Sequence, residues 1–352
     1  MEAAVEALTV ARTTAQRRLG GLQSLRGLAA FAVLLQHVTF YSCQAKGVDY
    51  LPYLRLDFGR LGVELFFVIS GFVMAGCLSQ GKRFLLNRVV RIYPGFWLSI
   101  VVSFLLLTNP VFAWTFGWKA SLLIPAGLNS SWRIPYWTLV YEMAFYVAAY
   151  GLAVFGASKK TVTRVLMAWL LAVVLATKYA SISQFEPGYW ILLGNLNVYF
   201  ILGMLVGTNF KEVNRVNSTL TALGAVILWS VGDAFAGSHP LQSDFALALA
   251  FCAVVVLGIR HIKVAALERL GDASYGIYLL HVPIVVLATH VLIGSFPGLY
   301  LFALWCATMA VSFVGATAFG WFESKMHARI KGLFRPAISR SAYAAETANS
   351  GR

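Results

Sequence analysis

Charge is what this sequence has least of. Asp, Glu, Lys and Arg make up 12% of its 352 residues, against about 25% in an ordinary soluble domain, whose surface must face water. Most of this surface must therefore face something apolar. Cysteine is scarce too, at four residues. Cys77, Cys252 and Cys306 fall in or at the ends of apolar runs, Cys43 stands alone, and Cys-x-x-Cys does not occur. That excludes a disulfide framework and a thiolate metal site, and no metal is expected. Repeats and low-complexity tracts are missing. So is the compact apolar core with a small-residue cleavage site that would mark a signal peptide before Leu22.

What is present is hydrophobicity, 59% of residues with a mean hydropathy of +0.73. It comes in runs of about 20 residues, the length that crosses a hydrocarbon core as a helix. The pattern predicts an all-α membrane protein of about ten transmembrane helices, at roughly 22–42, 60–80, 92–108, 136–155, 163–181, 189–208, 217–236, 244–259, 272–293 and 298–322. The expected organisation is a cytoplasmic tail over 1–20, a membrane domain over 21–325, and a basic, partly disordered cytoplasmic tail over 326–352.

The net charge of +14 raises the question of nucleic acid, and its placement answers it. With the N-terminus inside, 21 of the 28 Lys and Arg residues fall on cytoplasmic segments, among them Lys82, Arg83, Arg88, Arg91, Lys159, Lys160, Arg260 and Lys331. That is the bias expected when positive loops stay in the cytoplasm, so both termini are placed there and no nucleic-acid partner is expected. Residues 111–128 are apolar but short and carry Lys119 and Pro125. Counting them as a span would put the later basic loops outside, so they read as an outer interfacial or re-entrant segment.

Ionisable residues inside a bilayer are costly and mark function or an internal pairing. Arg26 and His37 lie eleven residues apart, about 20° from three full helical turns, and so share a face some 16 Å apart along the axis. Such a face offers an anion anchor near the inner surface and a base deeper in. Two readings of the pair stand equal: a ligand groove, or a snorkelling arginine beside a histidine that bonds a neighbouring helix. Arg88 and Arg91 share a face one turn apart just before the third span, where they either clamp phosphate or anchor the protein at the interface. Pro94 suits the start of that span, and Tyr93, Phe96 and Trp97 form an interfacial aromatic group.

Glu64 lies a turn inside the second span, placed to partner a base or a sugar, while Ser70 and Gly71 read as close helix packing. Glu142 lies at a depth compatible with His37, which it would orient and stabilise on protonation; Thr138 and Tyr146 flank it on the same face. Ser274, Tyr275, Tyr278 and His281 form a polar stripe that must face the bundle interior.

Five blocks resemble acyltransferase family 3, a family of membrane O-acyltransferases. They are Leu25-Arg26-Gly27-Leu28-Ala29-Ala30 with His37; Gly62 to Phe72; Arg88-x-x-Arg91-Ile92-Tyr93-Pro94; Trp137-Thr138-Leu139-x-x-Glu142-x-x-Phe145-Tyr146; and Ser274-Tyr275-x-x-Tyr278-Leu279-x-His281. They cover about residues 20–325 in the family's order. The resemblance implies transfer of an acyl group, commonly acetyl, from cytoplasmic acyl-CoA to a hydroxyl, often on a glycan, in a bacterial inner membrane. Its short form is similar to exopolysaccharide and lipopolysaccharide modifiers. In the family, the residues matching Arg26, His37, Arg88 and Arg91 are associated with activity. Three positions depart from its pattern: Thr138 replaces serine, Glu64 replaces aspartate, and Glu323 lacks the following proline, which lowers its claim to a role.

The expected site therefore has His37 as general base and Glu142 beside it. Arg26, Arg88, Arg91 and Tyr93 hold acetyl-CoA or another acyl-CoA, and Glu64, Ser70, Trp137, Tyr146, Tyr278 and His281 line the acceptor region. No activated Ser or Cys for an acyl-enzyme is evident, and the oligomeric state is open. The alternative is a secondary transporter or flippase for a glycan intermediate, although paired breaks in two halves of the chain are not seen.

Overall fold

In hydrocarbon a chain satisfies its backbone by forming helices, and the computed structural model does so throughout. It describes residues 2–108, 110–125, 132–179, 182 and 188–333, the side chains of 2–19 and 110 excepted. Among the described residues there are no strands, and nine helices are long and apolar enough to cross a membrane. These are α1 (Glu2–Ala45, spanning from Gly20), α2 (Phe58–Cys77), α3 (Arg83–Leu106), α5 (Trp137–Val154), α6 (Lys159–Tyr179), α9 (Ser218–Phe235), α10 (Pro240–His261), α11 (Ala265–Ser295) and α12 (Leu301–Leu333). Three short helices complete the order: α4 (Trp118–Ser121), α7 (Asn197–Thr208) and α8 (Phe210–Val213).

The sixth predicted span is not one helix. A 3₁₀ turn over Gly188–Leu193 is followed by a break and then by α7. The sequence supplies the cause, because the Asn197 amide donates to the carbonyls of Ile191 at 2.7 Å and Gly194 at 2.8 Å. The Trp169 indole takes the Leu192 carbonyl at 2.6 Å. Carbonyls that a continuous helix would use internally are thus satisfied by side chains, the condition under which broken backbone survives at membrane depth. Six residues of 3₁₀ and twelve of α-helix still span about 30 Å together, the thickness of the hydrocarbon.

Three other boundaries differ from expectation. Helix α1 is helical from Glu2, so the 1–20 segment continues into the first span, and α12 runs past residue 325 to Leu333. Helix α3 begins at Arg83, nine residues before the predicted third span, which places Arg88, Arg91 and Pro94 inside it. Within residues 110–125 there is a single 3₁₀ turn and the four-residue α4, with no helix that could cross. This segment is tied to α3 by the Tyr93 hydroxyl and the Trp97 indole, which donate to the carbonyls of Leu122 and Ser121 at 2.8 Å each. The rest of the 111–128 segment lies outside the described residues.

Helix α1 runs through the middle of the bundle, against α11, α2, α10 and α12. Helix α2 packs on α7, α11 on α12, and α10 on α9. Small residues set the close approaches, as expected where lipid removes the hydrophobic drive between helices. A Cβ on Gly276 would lie 2.5 Å from the Cα of Gly320 across the α11–α12 contact. An aromatic column of Phe67, Phe200, Phe145 and Trp169 joins α2, α7, α5 and α6, with centroid separations of 4.4, 4.3 and 5.6 Å. Outer faces such as Leu220, Val226 and Ile227 of α9 stay exposed and apolar, the surface a lipid solvent requires.

Candidate active site

A cavity of about 420 Å³ opens between α2, α3, α5, α11 and α12, with Arg26 of α1 on its wall. Arg83 at the start of α3 and Lys331 near the end of α12 are exposed at its mouth. Buried Thr138 and Tyr278 close its far end, the threonine hydroxyl 2.6 Å from the tyrosine hydroxyl, which also donates to the Pro135 carbonyl at 3.0 Å. Five cationic side chains, Arg26, Arg83, Arg88, Arg91 and Lys331, line the space against the single carboxylate of Glu142.

The cations are held differently. Arg91 donates to Glu323 at 2.7 Å and lies 4.5 Å over the Tyr275 ring, so its charge is matched inside the protein. Among the described residues Arg26 hydrogen-bonds the Gln23 amide oxygen alone, at 3.2 Å. Arg88 sits 6.0 Å from the ring centroids of Phe84 and Tyr146. Among the described residues, neither Arg26, Arg83, Arg88 nor Lys331 has a carboxylate in ion-pair contact. Guanidinium groups without an internal anion in a confined space attract one from outside, and two or three of them suit phosphate.

Pro94 also shapes this wall. Lacking an N–H, it leaves the Val90 carbonyl one turn back without its helical donor. Val90 and His327 both line the cavity. The proline is internal to α3 and not at its start.

Midway along the cavity the Ser70 hydroxyl and the Tyr146 hydroxyl both donate to Glu142 Oε1, the serine at 3.0 Å. Ser70, expected from sequence to line the acceptor region, is part of the polar lining. The expected Glu142–His37 pairing is not formed. Depth in the membrane was compatible, but azimuth was not: Glu142 on α5 faces α2, whereas His37 on α1 faces α11.

The partner of His37 is His281. His37 Nδ1 lies 2.8 Å from the Val33 carbonyl and 3.3 Å from His281 Nε2, with the two rings 4.9 Å apart. His281 Nδ1 in turn faces the carbonyls of Tyr278 at 2.8 Å and Ile277 at 3.1 Å. A carbonyl oxygen only accepts, so Nδ1 carries the proton on both rings. His281 Nε2 then accepts from His37 Nδ1–H, and among the described residues His37 Nε2 has no hydrogen-bond partner. The pair lies just past the Tyr278 end of the cavity, the Tyr278 and His281 rings being 5.9 Å apart.

The remaining predicted residues lie elsewhere. Glu64 is buried and bound by Arg60 at 2.6 Å, and Arg60 also reaches Asp244 at 2.9 Å, with Tyr199 donating to Asp244. This ion cluster is outside the cavity. Tyr93 is committed to Leu122, and Trp137 packs on Tyr141 with ring centroids 6.4 Å apart; neither lines the cavity. Conversely, His327, Arg83 and Lys331 were not singled out as site residues from sequence, and Glu323 was given a lowered claim. The available signal for Glu323 was an acid within a long apolar run. Among the described residues no group of His, Cys, Asp and Glu is arranged to hold a metal.

The chain is 29% identical to the exopolysaccharide production protein ExoZ of Rhizobium meliloti over 63% of this chain and 75% of that protein. It is 25% identical to nodulation protein 10 of Rhizobium leguminosarum bv. viciae over 77% and 83% of the two chains. With the acyltransferase MdmB of Streptomyces mycarofaciens it shares 28% identity over 37% of this chain and 38% of that one. No solved structure matches. The model of the acyltransferase domain family fits residues 19–321, which contain α1 from its membrane entry through most of α12; the chain belongs to that family of acyltransferases.

Proposed function

We propose that the protein transfers an acyl group, acetyl by preference, from acyl-CoA to a hydroxyl of an exopolysaccharide or its lipid-linked precursor in a bacterial inner membrane. One observation carries the reading: a cavity lined by four cations with no carboxylate in ion-pair contact among the described residues reaches Tyr278, whose ring lies 5.9 Å from that of His281, the partner of His37. The names of the relatives, an exopolysaccharide production protein and an acyltransferase, point to the same chemistry.

In this scheme Arg88, Arg26, Arg83 and Lys331 hold the phosphates of the donor near the mouth, which the placement of basic loops assigns to the cytoplasmic side. From Arg26 to His37 is about 16 Å along α1, a reach suited to the pantetheine arm. Ser70, Glu142, Tyr146 and Thr138 supply hydrogen-bonding partners for its amides along the way. His37 Nε2 removes the proton of the acceptor hydroxyl while the oxygen attacks the thioester carbonyl carbon. The C–S bond then breaks, and the imidazolium returns the proton to the thiolate of CoA. Holding donor and acceptor in line supplies much of the rate.

The test is thiol release from acetyl-CoA by membranes carrying the full chain, with and without extracted glycan. Wild type should release thiol only with acceptor present, and His37→Ala should abolish release while leaving acetyl-CoA binding intact. Full activity in His37→Ala would overturn the base assignment. Glycan movement with no thioester consumed would instead favour a transporter.

A further inference from the structure

We infer that His281 is a positioning residue for the reaction: a neutral imidazole that fixes the orientation and tautomer of His37. The inference rests on the reading of His37 as base and adds to it the identity of the group that prepares that base.

A histidine works as a base only if one particular nitrogen is bare and aimed at the substrate. In familiar hydrolases a carboxylate fixes this by accepting from Nδ1–H. Here the carboxylate that sequence offered for the task, Glu142, is occupied by Ser70 and Tyr146. What lies against His37 Nδ1 is His281 Nε2, at 3.3 Å. His281 is fully buried on α11. Its Nδ1–H is anchored to two carbonyls of its own helix, at 2.8 and 3.1 Å. Turning the ring over would replace those bonds with C–H groups and strand a buried donor, so the acceptor stays directed at α1. The Val33 carbonyl, one turn back on α1, shares the same proton at 2.8 Å. Together these two acceptors hold the His37 ring from two helices and leave Nε2 free.

A neutral acceptor also suits this depth. A carboxylate at position 281 would be an uncompensated charge in the hydrocarbon whenever His37 is neutral, at a cost of several kcal/mol. An imidazole lone pair accepts the same hydrogen bond without a standing charge. The anchored Nδ1–H of His281 faces only carbonyls, so His281 has no onward acceptor for a proton and holds His37 without relaying.

The experiment compares His281→Gln, whose side-chain oxygen can occupy the place of Nε2, with His281→Leu, which offers no acceptor. Full-length variants are assayed for acetyl-CoA thiol release in membranes with the strain's own glycan. The Leu variant should lose about 100-fold in kcat, the scale of a base displaced by about 1 Å, with its KM for acetyl-CoA unchanged. The Gln variant should stay within about tenfold of wild type, and His281→Leu should cost nothing further when added to His37→Ala, because residues acting as a unit are not additive. An active wild type with undiminished kcat in His281→Leu would overturn the inference and spare the base reading. Equal losses in Gln and Leu accompanied by a raised KM would overturn it as well, showing a packing role. A fully active His37→Ala protein would bring down the base reading and this inference together.

Discussion

Arg88 and Arg91 stand one turn apart on α3 and face different partners. Arg91 is matched by the buried Glu323, whose side chain is 1% exposed. Removing the arginine leaves that carboxylate stranded, so Arg91→Ala should destabilise the protein by about 3 kcal/mol, the cost of breaking a buried pair. A thermal shift of the purified protein measures this, and Arg91→Ala combined with Glu323→Gln should recover much of the loss. Arg88 has no acid to strand, so Arg88→Ala should leave the melting temperature nearly unchanged and raise KM for acetyl-CoA about tenfold or more. Equal thermal losses in the two variants would contradict this division. The cavity residues Arg26, Arg88, Arg91, Glu142, Tyr146 and Tyr278 were legible in the sequence because polar groups in apolar runs need a reason to be there. Who meets whom was not. Arg91 and Glu323 are 232 residues apart, and His37 and His281 are 244 apart. Depth can be counted along a helix, but the angle at which one helix faces another depends on packing that a single sequence does not display.

At the scale of elements, apolar run length located the nine helices long and apolar enough to cross among the described residues, and the tenth predicted span departs at a single side chain. Pro94 signals a helix start in most contexts, yet it lies inside α3, where it removes one backbone donor. Asn197 is the counterpart in the broken crossing, where hydropathy alone reads a continuous span. Asn197→Ala removes two hydrogen bonds to buried carbonyls and should lower stability by about 1–2 kcal/mol, the upper end for such bonds in membranes. Thermal unfolding in detergent measures it, and an unchanged midpoint would mean that the break holds without the amide. Gly276→Leu should do more, forcing apart α11 and α12 where Gly320 leaves no room. Because α11 carries Tyr275, Tyr278 and His281, that substitution should reduce turnover along with stability.

For the molecule as a whole, the directional claim is that the cavity mouth faces the cytoplasm. Cysteines placed at Arg83 or Lys331, with the four native cysteines replaced, should react with an impermeant maleimide only in inverted vesicles. Cysteines at Lys46 or Lys119 should react in right-side-out cells. Labelling of the Lys331 position from outside would reverse the orientation and with it the side of donor entry. The charge distribution supplied this orientation, while the position of α1 within the bundle could not be read from the sequence.

That central position has a consequence for how the protein is made. Helix α1 finds its most extensive partner in α11, which is synthesised about 220 residues later. At roughly 5–20 residues per second, synthesis of the intervening chain takes on the order of ten to forty seconds. During that interval His37 waits in the bilayer without His281. The nascent protein must therefore be sheltered by the insertion machinery, or α1 must loiter near the interface, until the partner arrives. Chains cut short before α11 should therefore lack the His37–His281 contact and be degraded, so this contact between distant helices doubles as a mark that α1 has found its place.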